Sequence, residues 1–326
     1  MAPNLHQAFA RARTSFMAAL PEHRALDVRL TYSKTPEFIA QIKRTDTRVV
    51  VTLSKGVIKT FDDIWSQTIV AAKEIETNVH PLAALGVPAL SSLSLEWLCL
   101  HELMHLRFGH LVGDREQQLV DISPVRPDLP KGLKAALPDI APHLIRKCFE
   151  MQADDEATEL FLGTYAVERH KHFRYQNAAI VAAMLAIDMH SPPAQGNNNT
   201  HPLPQTRFFM LLARLMQMWR FTDAYLEPGK LGSIIRNRNM PDDAARRTYQ
   251  AEIIAPLIAD ALQISVATGA QEIQAMLLDA DGFFADIDRA QFAKNPSESD
   301  FETAAGREWR RLLPINERIL SYLGFR

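Results

Sequence analysis

A chain of 326 residues, 47% of them hydrophobic, has room for one large domain or two modest ones and enough apolar material for a sizeable core. Its formal net charge is −2, so no field of one sign dominates, which argues against nucleic acid as the main partner. Two cysteines, Cys99 and Cys148, with no CxxC pair, argue against a disulfide framework and for a reducing compartment.

The N-terminal segment carries arginines but no apolar core of signal-peptide type. No run of about 20 apolar residues is evident, so the expectation is a soluble, cytoplasmic chain without an integral membrane segment. Residues 5–20 read as an amphipathic helix. Arg48–Ser54 is β-branched and predicts a strand, with a turn at Lys55-Gly56. Asp62 or Asp63 is placed to cap a helix running to about Asn78, in which Ile64, Trp65, Ile69 and Ala72 recur at helical spacing. Pro81 and Pro88 mark a connection. The next helix is expected from near Ser94 to Gly109, with Leu95, Leu98, Leu103 and Leu106 pointing to a buried setting.

Pro124, Pro127, Pro130, Pro138 and Pro142 predict a loop, holding one short helix around Gly132–Leu137. A long helix is expected over 143–169 and a buried one over 177–189. The tract 191–200, SPPAQGNNNT, reads as a loop, and a further helix is predicted over 205–225. The remainder reads as mostly helical, broken near 229–241 and 282–299. No repeat or linker divides the chain. The expectation is one domain over 1–326 with a helical C-terminal region from about 227, mainly α with a small β-sheet (α+β).

The chemistry concentrates in His101-Glu102-Leu103-Met104-His105, an HExxH motif. A spacing of four puts both histidines on one helical face, where they can share one zinc ion. Glu102 is rotated away from that pair, yet near enough to take a proton from an attacking water. The third ligand is open between two readings. His110 is one position short of the metzincin histidine, which falls on Leu111, and it is poorly placed for the role. Glu150 stands in Glu150-Met151-Gln152-Ala153-Asp154 on the next long helix and completes a His/His/Glu set. Asp154, one turn on, is placed to accept a hydrogen bond from the free ring nitrogen of a ligand histidine. Five of the ten residues from Glu150 to Glu159 are acidic, so a plain solvated face is the competing reading. Cys99 and Cys148 each stand two residues before a motif residue, which points them away from it.

These segments together resemble the M48-type zinc peptidases, a gluzincin family. HELMH with His110 following is similar to that family's HELGH…H. Glu150–Asp154 is similar to its ExxAD segment. Thr200-His201-Pro202, with Arg207 beyond it, is similar to its THP…R segment. The resemblance implies His101, His105 and Glu150 as zinc ligands, Glu102 as general base and Asp154 as support for the ligand shell. It implies that His201 lies near the active site, binding substrate or steadying the oxyanion, and that Arg207 serves an ion pair. Met104 stands where the family carries a small residue. The HExxH core alone also resembles the Lit-type phage-exclusion peptidases, which cleave a translation elongation factor.

The resulting expectation is a zincin-like, zinc-dependent endopeptidase that acts on protein or peptide substrates and is restrained by a lid, a partner protein or narrow specificity. The alternative is a regulatory or interaction protein that retains a zinc-peptidase scaffold without turnover.

Overall fold

The computed structural model describes residues 3–19, 26–44, 48–75, 81–110, 120–121, 129, 132–163, 169–190, 200–218 and 243–325. Its only sheet among these residues is small, with order β1-β3-β2-β4. The strands are β1 (Asp27–Ser33), β2 (Ala40–Arg44), β3 (Arg48–Ser54) and the two-residue β4 (Val120–Asp121). β3 runs parallel to β1, while β2 is antiparallel to β3 and β4. Alternation along the strands buries Ala40, Ile42, Val49, Val51 and Leu53 on one face, as period-two geometry requires.

The expected strand at Arg48–Ser54 is present, but the turn after it is not: α2 (Lys55–Ile75) starts at once. Ser54 explains the difference. Its side-chain oxygen accepts the Val57 N–H at 3.3 Å and so caps the new helix. Gly56 lies in the first turn because a Cβ there would sit 2.2 Å from the Glu37 carbonyl oxygen. Asp62 is therefore inside the helix rather than at its start, and it accepts the Ser91 hydroxyl at 2.6 Å.

Helix α1 (Pro3–Ala19) buries Leu5, Ala8, Phe9, Ala12 and Phe16, a single stripe at helical spacing. Each large member of that stripe contributes about 1.5–3 kcal/mol by leaving water. The stripe packs on α4 (Val87–Arg107), which begins seven residues before the expected start near Ser94. The prolines read as a connection instead open helices. Pro81 starts α3 (Pro81–Leu85) and Pro88 occupies the first turn of α4, where a missing N–H costs nothing. Helix α4 is buried on most sides because it is surrounded by α1, α2 and two later helices.

Helix α5 (Leu133–Ala136) is followed by α6 (Pro142–Leu162). Gly163, at φ 62°, ends α6 seven residues before the expected Arg169. Helix α7 (His170–His190) is buried without interruption from Gln176 to Ile187. Helix α8 (Pro204–Met218) leads toward the C-terminal region. The expected loop over 191–199, the prolines at 124, 127 and 130, the helix end at 225 and the break over 229–241 lie outside the described residues.

The C-terminal region comprises α9 (Asp243–Tyr249), a π-helical turn (Gln250–Ile254), α10 (Ala255–Thr268), α11 (Gln271–Leu278), α12 (Ala280–Phe292) and α13 (Ala304–Tyr322). The π turn ends two residues before Pro256, whose ring and missing N–H a regular helix would not accommodate. The break expected over 282–299 falls at 293–303, since 282–292 stays helical. There Asp286 accepts the N–H groups of Glu302 and Thr303 and the Thr303 hydroxyl, which holds the chain for α13.

One run among the described residues, Ala244–Thr268, is long and apolar enough to cross a membrane by length and composition. That corrects the expectation that no such run exists. In this fold it packs against α2 and α7 through Ile253, Leu257, Ala261 and Ile264, and its buried Asp260 holds Arg174 of α7 through two bonds of 2.7 and 2.8 Å. The main core surrounds α4 and α7. A second apolar cluster joins α5, α6 and α13 through Leu133, Ile145, Phe149, Met151, Leu312 and Ile319.

Candidate metal centre

Two buried helices build the centre. α4 contributes His101, Glu102 and His105, each at most 3% exposed. α6 packs against α4 and contributes Glu150 and Asp154 from one face, since a spacing of four returns to the same side. His101 Nε2 lies 3.3 Å from His105 Nε2 and 3.3 Å from Glu150 Oε2, and His105 Nε2 lies 3.7 Å from Glu150 Oε1. One donor atom from each of the three residues falls within 4.8 Å of the other two, so this cluster could hold a metal ion.

His201, just before α8, reaches the same carboxylate, with Nε2 3.5 Å from Glu150 Oε2. Asp154 faces two partners. Its Oδ1 lies 2.9 Å from His101 Nδ1, and both its oxygens accept from Arg207 at 2.7 Å. Arg207, from α8, is 1% exposed, so this is a buried, bidentate pair. The structure thus brings His101, Glu102, His105, Glu150, Asp154, His201 and Arg207 into one region. Cys99 and Cys148 stay outside it as buried thiols, and burial raises both their pKa values.

The electrostatics favour a cation. Burial alone would lower the His101 pKa, but Asp154 and Glu150 reverse this and raise it to about 10. His105 falls to about 4 because burial dominates there, and burial likewise lowers His110 and His201. Burial would raise Glu150, yet His201, His105 and His101 hold its carboxyl well below the usual range. A carboxylate kept ionised among several ring nitrogens, in a largely buried pocket that Glu150, 13% exposed, opens toward solvent, is the donor chemistry of a metal site.

Three residues around the centre carry no signal in the motif spacing. His110 Nδ1 lies 3.0 Å from His105 Nδ1, and its Nε2 lies 2.8 Å from Gln152 Oε1. Gln152 in turn donates to Asn316 Oδ1 of α13 at 2.6 Å. Glu308, also on α13 and 3% exposed, accepts the Leu203 N–H and the Thr206 hydroxyl at 2.7 Å each, and Lys147 Nζ at 2.6 Å. Gln152, Glu308 and Asn316 were not singled out from sequence, because long-range pairing across 100 or more residues leaves no local period.

The sequence model of Peptidase U49 matches residues 29–219, more than half of the 326-residue chain. That span includes α4, α6, α8 and every residue of the centre except those supplied by α13. No curated protein and no solved structure matches the chain significantly. The chain belongs to the Peptidase U49 family.

Proposed function

We propose that this protein is a zinc-dependent endopeptidase with His101, His105 and Glu150 as ligands. The observation that carries the reading is the triad itself, two buried histidines of α4 facing the partly buried Glu150 of α6, with Glu102 between the histidines on α4. Donors about 2.0–2.1 Å from a tetrahedral zinc ion lie about 3.3 Å apart. His101 Nε2 lies at that spacing, 3.3 Å, from both His105 Nε2 and Glu150 Oε2, and the other Glu150 oxygen lies 3.7 Å from His105 Nε2, so the cluster is close to that requirement. Three protein ligands leave a fourth position open, as catalysis needs. A His/His/Glu set drawn from HExxH and a later helix is the gluzincin arrangement, which supports the zincin-like, M48-like reading.

Zinc held there supplies Lewis acidity, which polarises a peptide carbonyl and brings water into reach of deprotonation near neutral pH. Glu102 takes the proton of the attacking water and delivers it to the leaving amine. Asp154, anchored by Arg207, lies 2.9 Å from His101 Nδ1, where its charge would hold the ring with Nε2 toward the ion. His201 supplies a donor for the developing oxyanion or a contact to the substrate. The substrate is a protein or peptide in extended form, and the single domain is cytoplasmic, with cleavage restrained by narrow specificity or a partner.

The test is cleavage of a peptide library by the purified protein, by chelator-treated protein and after zinc is restored. Activity that vanishes with chelation and returns with zinc is the expected result. Activity that survives complete zinc removal would overturn the reading.

A further inference from the structure

The centre is tied to a helix that the family match does not include. We propose that α13 positions the second histidine ligand through a directional hydrogen-bond relay, His105–His110–Gln152–Asn316. The proposal rests on the reading of His101, His105 and Glu150 as ligands.

The direction follows from the ring chemistry. His105 turns Nε2 toward His101 and Glu150. A neutral imidazole that offers a lone pair from Nε2 carries its hydrogen on Nδ1. That hydrogen faces His110 Nδ1 at 3.0 Å, which must therefore accept. His110 then carries its own hydrogen on Nε2 and donates it to Gln152 Oε1 at 2.8 Å. This sets the amide, whose nitrogen donates to Asn316 Oδ1 at 2.6 Å. Every link has one donor and one acceptor, and with both amides oriented as they are, reversing a single link would set two donors or two lone pairs against each other.

The relay is also held sterically. The His110 ring stacks on Phe149 at 4.0 Å and on Phe108 at 5.4 Å, each at an interplanar angle of 15°. Its backbone N–H donates to the His105 carbonyl at 3.0 Å. Asn316 is fixed because α13 packs on α6 through Leu312 and Ile319. Glu308 ties the same helix to the segment that carries His201 and to Lys147 of α6. One C-terminal helix thus braces the zinc-binding imidazole from one side and the His201 segment from the other. Buried polar groups usually find partners whatever their role, so the bare presence of these bonds would also suit a purely structural network. Zinc affinity that falls when the relay is cut and returns when its acceptor is restored separates the two.

The experiment measures ring-nitrogen ¹⁵N shifts in histidine-labelled, metal-free full-length protein, together with zinc affinity by chelator competition. The expected pattern is Nδ1–H on His105 and Nε2–H on His110. His110→Phe, which keeps the ring stack but removes the acceptor, is expected to weaken zinc binding about 10- to 100-fold, the usual effect of losing such a partner. Asn316→Leu is expected to mix the His110 tautomers and weaken zinc in the same direction, and Asn316→Asp, which restores an acceptor oxygen, to return both toward wild type. Hydrogen on His110 Nδ1 in the wild type would overturn the relay, as would wild-type zinc affinity in His110→Phe. If His110→Phe does not fold, the wild-type tautomers and the Asn316 pair decide. A wild type that binds no zinc would defeat the ligand reading, while the metal-free tautomers would still decide the relay.

Discussion

Asp154 shows how one side chain can serve both stability and chemistry. It faces His101 at 2.9 Å and takes both arms of Arg207 at 2.7 Å, all out of water. Asp154→Asn keeps the size but removes the charge, leaving the Arg207 guanidinium buried without its counter-ion. That change is expected to cost about 3–5 kcal/mol of stability, measured by urea unfolding, and to weaken zinc about 10- to 100-fold. A loss of affinity without loss of stability would contradict the pairing. The two motif histidines also predict a pH profile for the metal-free protein. His101 is raised to about 10 from 6.5, so its stabilising effect is complete below pH 6.5 and is lost as pH rises through 10. His105 is lowered to about 4, so its neutral buried ring costs stability as pH falls from 6.5 through 4. Metal-free stability should therefore peak near pH 6.5, and zinc should remove the fall on the alkaline side because the ion replaces the His101 proton. Unfolding midpoints from pH 4 to 10, with and without zinc, check this; a metal-free midpoint that climbs between pH 7 and 10 would count against it.

At the scale of elements, the most informative tie is Glu308. A buried carboxylate that accepts a backbone N–H, a hydroxyl and an ammonium joins α13 to α6 and to the start of α8. Glu308→Ala is expected to cost about 3–5 kcal/mol, because it strands Lys147 and two neutral donors. Proteolysis should then cut more readily near 200–206; unchanged protection would mean that the segment holds itself in place. What was legible in the sequence follows from the range of the forces. α1, α2, α4 and α6 through α8 announce themselves by local period, and β3 by its β-branched run. The sequence misplaces the starts of α2 and α4 and hides α3, because a serine cap at Ser54 and first-turn prolines at Pro81 and Pro88 look like breaks until the next helix is known. HExxH and the Glu150–Asp154 segment are helical spacings, so their grouping was readable. Gln152, Glu308 and Asn316 were not, since their meaning lies in partners far along the chain.

At the scale of the molecule, the family match and the fold divide the work differently. Residues 29–219 carry the His101, His105 and Glu150 cluster, whereas the C-terminal helices beyond that span complete the core around it. Ala244–Thr268, apolar enough for a membrane, spends its buried stripe on α2 and α7. Ion binding to a site formed only in the folded state must stabilise the whole molecule, by about 4 kcal/mol when free zinc exceeds its dissociation constant 1,000-fold. A melting temperature indifferent to zinc would argue that the triad binds no ion. The measurement that tests the account most directly is zinc stoichiometry and peptide cleavage for wild type beside Glu102→Gln. The account predicts one zinc per chain in both proteins and a loss of cleavage of about 10²- to 10⁴-fold in the variant alone. Absence of zinc from the supplemented wild type, or a Glu102→Gln protein that cleaves as fast as wild type, would contradict it.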